Sequence, residues 1–238
     1  MRAILLAAGF GARLRPLTNK TPKCLVPIHG KPLLDIWLEQ LTSAGISSFL
    51  VNTHHLSEQV EAYVRLSPYM DRVTLTYERE LLGTAGALIA NLDFYAGQDG
   101  LLLHADNYSL PDITEFLCTH RHRPPSCLMT MMTFQTDSPS SCGVVELNEK
   151  GVVIGFHEKV DSPPGNLANG AVYALSAELM RMLKADYGDA KDFSTEVLPQ
   201  LVGKIFAYRT PGFFLDIGTP ESYEKANRMN GDAHILVQ

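Results

Sequence analysis

The sequence predicts an α/β fold with a doubly wound, mostly parallel (mixed) sheet in three α/β/α layers. Three observations lead to this prediction. A short apolar strand runs directly into a glycine-rich turn, strand and helix patterns then alternate as far as residue 77, and several strands are continuous apolar runs. Continuous apolar runs are typical of parallel strands that are buried on both faces.

The first five elements give the β-α-β-α-β order of a parallel sheet. The helix over 33–44 is predicted because its leucines share one face and Gly45 marks its end. The other elements of this part are strands over 1–7, 46–53 and 73–77 and a helix over 56–66.

Both strands and helices are predicted in the rest of the chain. The predicted strands are 100–107, 127–135, a hairpin that turns at 148–151, 167–175, 204–209 and a strand that ends at Asp216. Five helices are predicted here. The first reaches about Leu92, the second covers 111–120, and the third covers 176–183 with Ser176 as its cap. The fourth starts near Asp192 or Ser194, and the last runs from Pro220 to about Asn230.

Length and composition limit the class of protein. A chain of 238 residues suits one α/β domain, and its net charge of −6 argues against general nucleic-acid binding, which usually needs a basic face. No apolar stretch approaches the ~18 residues of a membrane span. The four cysteines form no C-x-x-C pair, so a cytoplasmic protein with reduced thiols is expected.

The glycine-rich turn after the first strand predicts a phosphate site. Glycine lets backbone N–H groups approach a phosphate, and Arg13, Arg15 and Lys23 add positive charge. No Lys-Ser or Lys-Thr pair follows a glycine, which excludes a P-loop. Leu14 stands where a dinucleotide fingerprint needs a small residue, which excludes that motif.

The segment from Leu5 to Lys23 resembles the signature of the sugar-1-phosphate nucleotidylyltransferases, or NDP-sugar pyrophosphorylases. That signature reads roughly G-x-G-[ST]-R-[LM]-x-P-L-T followed by P-K, and Ala12 is its one departure here. The resemblance implies a Rossmann-like nucleotidyltransferase fold in a single domain, 1–238. The nucleotide-binding half would be about 1–110, and the sugar-binding half about 111–238.

The resemblance also implies site residues. The two catalytic residues would be Arg13 and Lys23. Arg13 would stabilise the departing pyrophosphate, and Lys23 would lie near the α-phosphate. The nucleotide-binding residues are those of the turn, Lys23 and a second small-residue loop: Leu6, Ala7, Ala8, Gly9, Gly11, Ala12, Arg13, Lys23, Leu82, Gly83, Thr84 and Ala85. The second loop has a competing interpretation as a tight helix N-terminus packed on the sheet.

Two aspartates and a downstream group complete the predicted site. Carboxylates are ligands that Mg²⁺ prefers, and the resemblance assigns Mg²⁺ to Asp106 and Asp216. It assigns the sugar phosphate to Gly143, Glu158, Lys159 and Asn169. A Glu-Lys pair without this context is usually a surface salt bridge, and His54-His55 is predicted to be a loop pair without a metal.

The expected reaction joins a nucleoside triphosphate and a sugar 1-phosphate into an NDP-sugar and pyrophosphate. The resemblance favours GTP with mannose or D-manno-heptose 1-phosphate, with a UTP-dependent enzyme for N-acetylmuramate or glucose 1-phosphate as the alternative. A non-catalytic nucleotide-sugar-binding regulator would be expected to lose an aspartate or Arg13. A glycosyltransferase would be expected to carry an Asp-x-Asp triplet, which is absent. The sequence leaves the nucleobase, the sugar and a homo-oligomeric state open.

Overall fold

The computed structural model describes residues 1–229. The strands are β1 Arg2–Leu6, β2 Pro27–Ile28, β3 Lys31–Pro32, β4 Phe49–Thr53, β5 Val73–Tyr77, β6 Gly100–His104, β7 Asn107–Ser109, β8 Met129–Gln135, β9 Gly143–Leu147, β10 Val153–Glu158, β11 Leu167–Leu175, β12 Ile205–Arg209 and β13 Phe214–Asp216. The helices are α1 Leu33–Ser43, α2 Ser57–Leu66, α3 Gly83–Ala90, α4 Ile113–Arg121, α5 Ala177–Asp186 and α6 Pro220–Arg228.

These elements form two compact units that interleave along the sequence. The N-terminal unit takes residues 2–81, 104–113 and the described chain from residue 211. The central unit takes residues 82–103 and 114–210. The division into a nucleotide half and a sugar half near residue 110 stays a prediction.

The N-terminal unit contains the predicted parallel strands. β4 pairs in parallel with both β1 and β5, in the register Leu5↔Val51 and Val51↔Leu75. Because parallel strands end at the same edge, the glycine-rich turn after β1 shares that edge with the loops after β4 and β5. The parallel order predicted from the sequence is confirmed.

A short antiparallel pair in this unit brings distant parts of the chain together. β13 pairs with β7 in a register that sets Asp216 opposite Asn107. The N–H of Ala105 donates to the carbonyl of Leu6 at 3.0 Å, so the turn before β7 lies beside the end of β1. The side chains of Asp106 and Asp216 are therefore held near the glycine-rich turn.

The central unit is built around β11, which pairs antiparallel with β6, β8 and β9. β9 and β10 form the predicted hairpin, and β12 joins β8 in parallel. In the turn of the hairpin, Asn148 accepts hydrogen bonds from the N–H groups of Lys150 and Val152 at 3.0 Å. The α/β class and the mixed sheet are confirmed, with the antiparallel pairs concentrated in this unit.

Several element ends differ from the predicted ones for local reasons. β4 begins at Phe49 rather than at 46, because the N–H of Ile46 still bonds the carbonyl of Leu41 at the end of α1. The helix expected near residue 192 is a π-helix, Phe193–Val197, and Asp192 rather than Ser194 caps it. Asn230, the expected end of the last helix, lies outside the described residues.

Among residues 1–229, no helix is both long and apolar enough to cross a membrane. The predicted cap of α5 is confirmed, since Ser176 accepts a hydrogen bond from the N–H of Leu179. Thr219 and Ser222 form a capping box at the start of α6. This box fixes the segment that follows Asp216, and two reciprocal hydrogen bonds of this kind stabilise a helix start.

Candidate functional site

The glycine-rich turn has a backbone that only glycine takes easily at residue 11. Gly11 has φ +59°, and a Cβ added there would lie 2.8 Å from the Cγ2 atom of Thr18. The hydroxyl of Thr18 donates to the carbonyl of Gly11 at 2.8 Å, and Thr18 is buried. The turn is therefore a packed structure with a fixed shape, as a preformed phosphate site requires.

The start of the same turn is tied to the neighbouring strands. The N–H of Ala7 donates to the side-chain oxygen of Asn52 at 2.7 Å, and the Asn52 amide donates to Glu78 at 2.7 Å. Asn52 and Glu78 are both buried. The Ala7 N–H is thus already engaged within the protein. Sequence reasoning missed this link, although a lone Asn in an apolar strand is a signal for one.

Four predicted residues of the N-terminal unit form one chain of alternating charges. The Nζ atom of Lys23 lies 3.0 Å from Oδ2 of Asp106 and 3.7 Å from Oδ1 of Asp216. The guanidinium of Arg13 lies 3.3 Å from Oδ2 of Asp216. The structure therefore brings together both predicted catalytic residues and both predicted metal ligands.

The charged side chains of this cluster differ in burial, and burial and neighbouring charges together set the pKa of Asp106. Only 7% of the Lys23 side chain is exposed, whereas 69% of Arg13 is exposed. Burial alone would raise the pKa of the Asp106 carboxyl, but the charges of Lys23 and His104 and the Lys23 hydrogen bond outweigh it. The pKa of Asp106 is therefore lowered, and its carboxylate is charged at neutral pH.

Gly218 packs against this cluster, and sequence reasoning assigned it no role in the site. A Cβ at Gly218 would lie 2.7 Å from the guanidinium of Arg13 and 2.9 Å from Oδ1 of Asp216. Its N–H donates to that same carboxylate oxygen at 2.8 Å. The glycine in the Asp-Ile-Gly-Thr segment is the sequence signal from which this close approach could have been predicted.

The donor set of the cluster fits a divalent ion that completes its coordination with substrate oxygens. Two carboxylates converge on one ammonium, which occupies the position of a cation between them. No group of three or more His, Cys, Asp and Glu side chains that could hold a metal occurs within the described residues. Mg²⁺ is commonly held by one or two carboxylates plus substrate phosphates, so a third protein ligand is not required.

The histidine pair after β4 is engaged elsewhere. His54 contacts the carbonyl of Glu78 and His55 contacts the carbonyl of Thr18, both at 2.9 Å. The rings of His54 and the exposed Phe10 meet edge to face, with centroids 5.3 Å apart. The loop pair predicted from the sequence thus braces the glycine-rich turn through ring and backbone contacts.

The second small-residue loop is packed within the central unit. Gly83 has φ +77°, and a Cβ there would lie 2.3 Å from the carbonyl of Lys191. The N–H of Ala85 donates to that carbonyl at 2.9 Å, and the Thr84 hydroxyl accepts from the N–H of Phe193 at 2.7 Å. These contacts support a tight helix N-terminus, although they are made to residues 191–193 and not to the sheet named in the sequence interpretation. A nucleotide contact from Leu82, Gly83, Thr84 or Ala85 stays a prediction.

The predicted sugar residues of the hairpin lie side by side. Glu158 pairs with Gly143 across β9 and β10, and a Cβ at Gly143 would lie 2.5 Å from the Glu158 carboxylate. The Nζ atom of Lys159 lies 3.2 Å from the Glu158 carboxylate, and 66% of the Lys159 side chain is exposed. A carboxylate and an ammonium are therefore presented together at the end of this hairpin.

Asn169 lies where β11 departs from regular pairing. The register with β8 shifts between Asn169 and Tyr173, and Ala171 has φ +52°. The Asn169 amide donates to the hydroxyl of the buried Tyr173 at 2.7 Å. Burial, together with the nearby charge of Glu158, raises the pKa of Tyr173, so its hydroxyl stays protonated. Sequence reasoning did not find this tyrosine.

Comparisons with known proteins give consistent results. A family model described as nucleotidyl transferase matches residues 2–232. A Drosophila melanogaster relative named mannose-1-phosphate guanylyltransferase catalytic subunit beta is 29% identical over 231 residues, covering 93% of this chain and 60% of the relative. A Synechocystis relative named UTP–glucose-1-phosphate uridylyltransferase is 28% identical over 245 residues, covering 96% of this chain and 63% of the relative.

Among solved structures, HddC from Yersinia pseudotuberculosis complexed with GMP-PN has a TM-score of 0.79 and 24% identity. The match covers 95% of this chain and 97% of that chain, and at this identity it concerns the fold alone. The curated relatives are longer than this chain, which spans 60–70% of their lengths.

Proposed function

Because this chain belongs to the nucleotidyl transferase family, we propose that it joins a nucleoside triphosphate to a sugar 1-phosphate and releases pyrophosphate. Its Rossmann-like fold is that of the solved neighbour. The observation that carries the proposal is the cluster of Arg13, Lys23, Asp106 and Asp216, which come from three separate parts of the chain and meet in the fold. A regulator without activity would not need both the two cations and the two carboxylates of this cluster.

The reaction requires charge neutralisation more than covalent chemistry. A phosphate oxygen of the sugar 1-phosphate attacks the α-phosphorus, the α–β bridging bond breaks, and pyrophosphate leaves with the electron pair. Arg13 presents a planar fork that suits the departing pyrophosphate, and Lys23 presents a point charge for the α-phosphate. The attacking group is already an anion, so no general base is needed.

The family generally uses a divalent metal, and we assign Mg²⁺ to Asp106 and Asp216. When bound, the ion would supply charge neutralisation at the phosphate oxygens. We expect Asp106→Ala and Asp216→Ala each to abolish turnover in a protein that still folds. Asp106→Ala should have the lower thermal unfolding midpoint of the two, because it leaves the buried Lys23 ammonium without its partner at 3.0 Å. Chelation of the metal should abolish turnover of the wild type, and full activity in excess chelator would contradict this assignment.

For the substrates, we propose GTP with mannose or D-manno-heptose 1-phosphate. The name of the Drosophila relative supports a guanylyl donor, and the name of the Synechocystis relative supports UTP with glucose 1-phosphate as the second candidate. We assign sugar-phosphate recognition to Glu158 and Lys159, with Gly143 and Asn169, because a carboxylate accepts from hydroxyls and an ammonium binds phosphate. The free thiols of all four cysteines suit the cytoplasm.

The deciding experiment measures pyrophosphate release for GTP, UTP, ATP and dTTP against a panel of sugar 1-phosphates. We expect the highest kcat/KM for GTP with a manno-configured sugar. Highest kcat/KM for UTP with glucose or N-acetylmuramate 1-phosphate would establish the second candidate. No pyrophosphate release from any pair, by a protein that binds nucleotide, would favour the regulator instead.

A further inference from the structure

We propose that Lys23 is the counter-ion of the two metal-binding aspartates in the nucleotide-free protein, so that the metal and the nucleotide bind cooperatively. The proposal rests on the proposed function, since it takes Asp106 and Asp216 to be the metal ligands. It adds a role for Lys23 before the substrate arrives.

Lys23 is the most deeply buried charged side chain of this cluster. Its side chain is 7% exposed, whereas the side chains of Asp106 and Asp216 are 37% and 48% exposed. Transfer of an ammonium group out of water is costly unless a carboxylate accepts its hydrogen bonds. The ammonium of Lys23 is therefore held between the two aspartates, with Nζ 3.0 Å from one and 3.7 Å from the other.

Three of the four carboxylate oxygens of the two aspartates already accept hydrogen bonds within the protein. Oδ2 of Asp106 accepts from Lys23, Oδ2 of Asp216 accepts from Arg13, and Oδ1 of Asp216 accepts from the N–H of Gly218. A divalent ion between the aspartates would have to displace the Lys23 ammonium or lie against it. Displacement breaks the ion pairs of a buried ammonium. An ion that lies against the ammonium is repelled by a like charge. Both alternatives therefore cost free energy. Metal affinity in the absence of nucleotide is therefore low.

A triphosphate changes this balance. Its phosphates offer negative partners to Lys23 and Arg13, so the aspartates lose the cations that compete with the metal. The same phosphates supply oxygen ligands to the ion. Linkage then requires that the nucleotide raise metal affinity by the same factor by which the metal raises nucleotide affinity.

The test is a titration of the purified protein with Mn²⁺, read as free Mn²⁺ by electron paramagnetic resonance, without nucleotide or sugar. We expect Lys23→Met to bind Mn²⁺ about tenfold more tightly than the wild type, since a charge-assisted hydrogen bond that competed with the ion is gone. Lys20→Met is the matched control, because it removes the same charge from an exposed position of the same loop. It should change Mn²⁺ affinity less than about twofold.

Unchanged or weaker Mn²⁺ binding by folded Lys23→Met would overturn the proposal, as would an equal gain for Lys20→Met. A second measurement needs no variant: the rate of acetylation of each lysine in the wild type, read by peptide mass spectrometry. Saturating Mg²⁺ should raise the rate at Lys23 severalfold and leave Lys20 unchanged. An unaltered rate at Lys23 would overturn the proposal. Neither measurement uses turnover, so an inactive protein that shows both effects would contradict only the proposed function.

Discussion

Gly218 carries no side chain, and a larger residue there would have to displace the ion pair of Arg13 and Asp216. A methyl group there would lie within 3 Å of both partners. The close contact concerns the far end of the flexible Arg13 side chain, so the fold can yield locally. At this position the identity of a residue is set by the geometry of two others.

We therefore expect Gly218→Ala to separate Arg13 from Asp216 and to lower kcat by about tenfold, which is about 1.4 kcal/mol of transition-state stabilisation. The midpoint of thermal unfolding should change little. Steady-state kinetics and a thermal melt of the same preparation measure both quantities. Gly188→Ala is the control, since an added Cβ meets nothing within 4 Å. A fully active Gly218→Ala enzyme would show that the ion pair is not needed.

Arg13→Lys keeps the positive charge but loses the planar fork that can bind two phosphate oxygens. We expect kcat to fall by at least ~10-fold, because only one donor geometry remains for the departing pyrophosphate. Arg15→Lys, in the same turn, serves as the comparison and should retain most of the activity. Equal kcat for wild type and Arg13→Lys would make Arg13 a surface residue of the turn.

Lys159→Ala tests the proposed sugar-phosphate contact. Because the Lys159 side chain is 66% exposed, we expect a rise of about tenfold in the KM for sugar 1-phosphate, at the lower end for a charged hydrogen bond. Nucleotide affinity, measured by calorimetry without sugar, should not change. The control Lys150→Ala removes a lysine from the turn of the same hairpin. A KM equal to that of the wild type would leave Lys159 with a surface salt bridge only.

At the scale of elements, the N-terminus of α3 is clamped to the segment before the π-helix. Gly83, Thr84 and Ala85 all contact Lys191 or Phe193 through their backbone or hydroxyl atoms. This clamp gives the small residues a structural reason that applies whether or not a nucleotide binds there. The π-helix itself is a rare element that is often found near functional sites.

A comparison of Gly83→Ala with Gly97→Ala separates the loss of stability caused by close packing from the loss caused by backbone strain. Both glycines have positive φ, +77° and +72°, but only the Cβ at Gly83 would meet another atom, the Lys191 carbonyl. We expect both variants to lose stability to strain, and Gly83→Ala to lose about 1–3 kcal/mol more through overpacking. Urea unfolding measures the difference. Equal losses would mean that the clamp can move aside at no cost.

Sequence patterns were informative for elements and motifs because they depend on local periodicity and on residue types that chemistry requires. β5 and β11 have the predicted bounds, and the Asp-Ile-Gly-Thr segment ends a strand as expected. The partners of Lys23 could not be predicted, since a distance between residues far apart in sequence depends on tertiary packing. For the same reason the Asn52–Glu78 link and the Tyr173 hydroxyl were missed.

At the scale of the whole molecule, His120 makes stability depend on pH. It is fully buried, Nδ1 lies 2.9 Å from the hydroxyl of Thr130, and Nε2 lies 3.4 Å from a carboxylate oxygen of Asp99. Burial, helped by the charge of Arg123, lowers the pKa of His120 to about 4, although Asp99 acts in the opposite direction. The native protein therefore holds His120 neutral where the unfolded chain, with a pKa of ~6.5, begins to take up a proton.

The stabilisation is complete above pH ~6.5 and is lost as the pH falls from there towards the folded pKa of about 4. We expect the free energy of unfolding to fall more steeply over this interval in the wild type than in His120→Gln, whose side chain does not titrate. Urea unfolding at several pH values from 7.5 to 4.5 compares the two slopes. Parallel slopes would show that His120 gains its proton equally in both states.

The ion pair of Arg13 and Asp216 joins residues 203 positions apart, and this separation has a consequence for biosynthesis. At about 5–20 residues per second, about 10–40 s pass between the synthesis of the two partners. During that interval Arg13 lacks its carboxylate partner, and the N-terminal unit lacks β13 and α6. A nascent chain that is cut short before residue 211 could contain the glycine-rich signature in full and still lack the site.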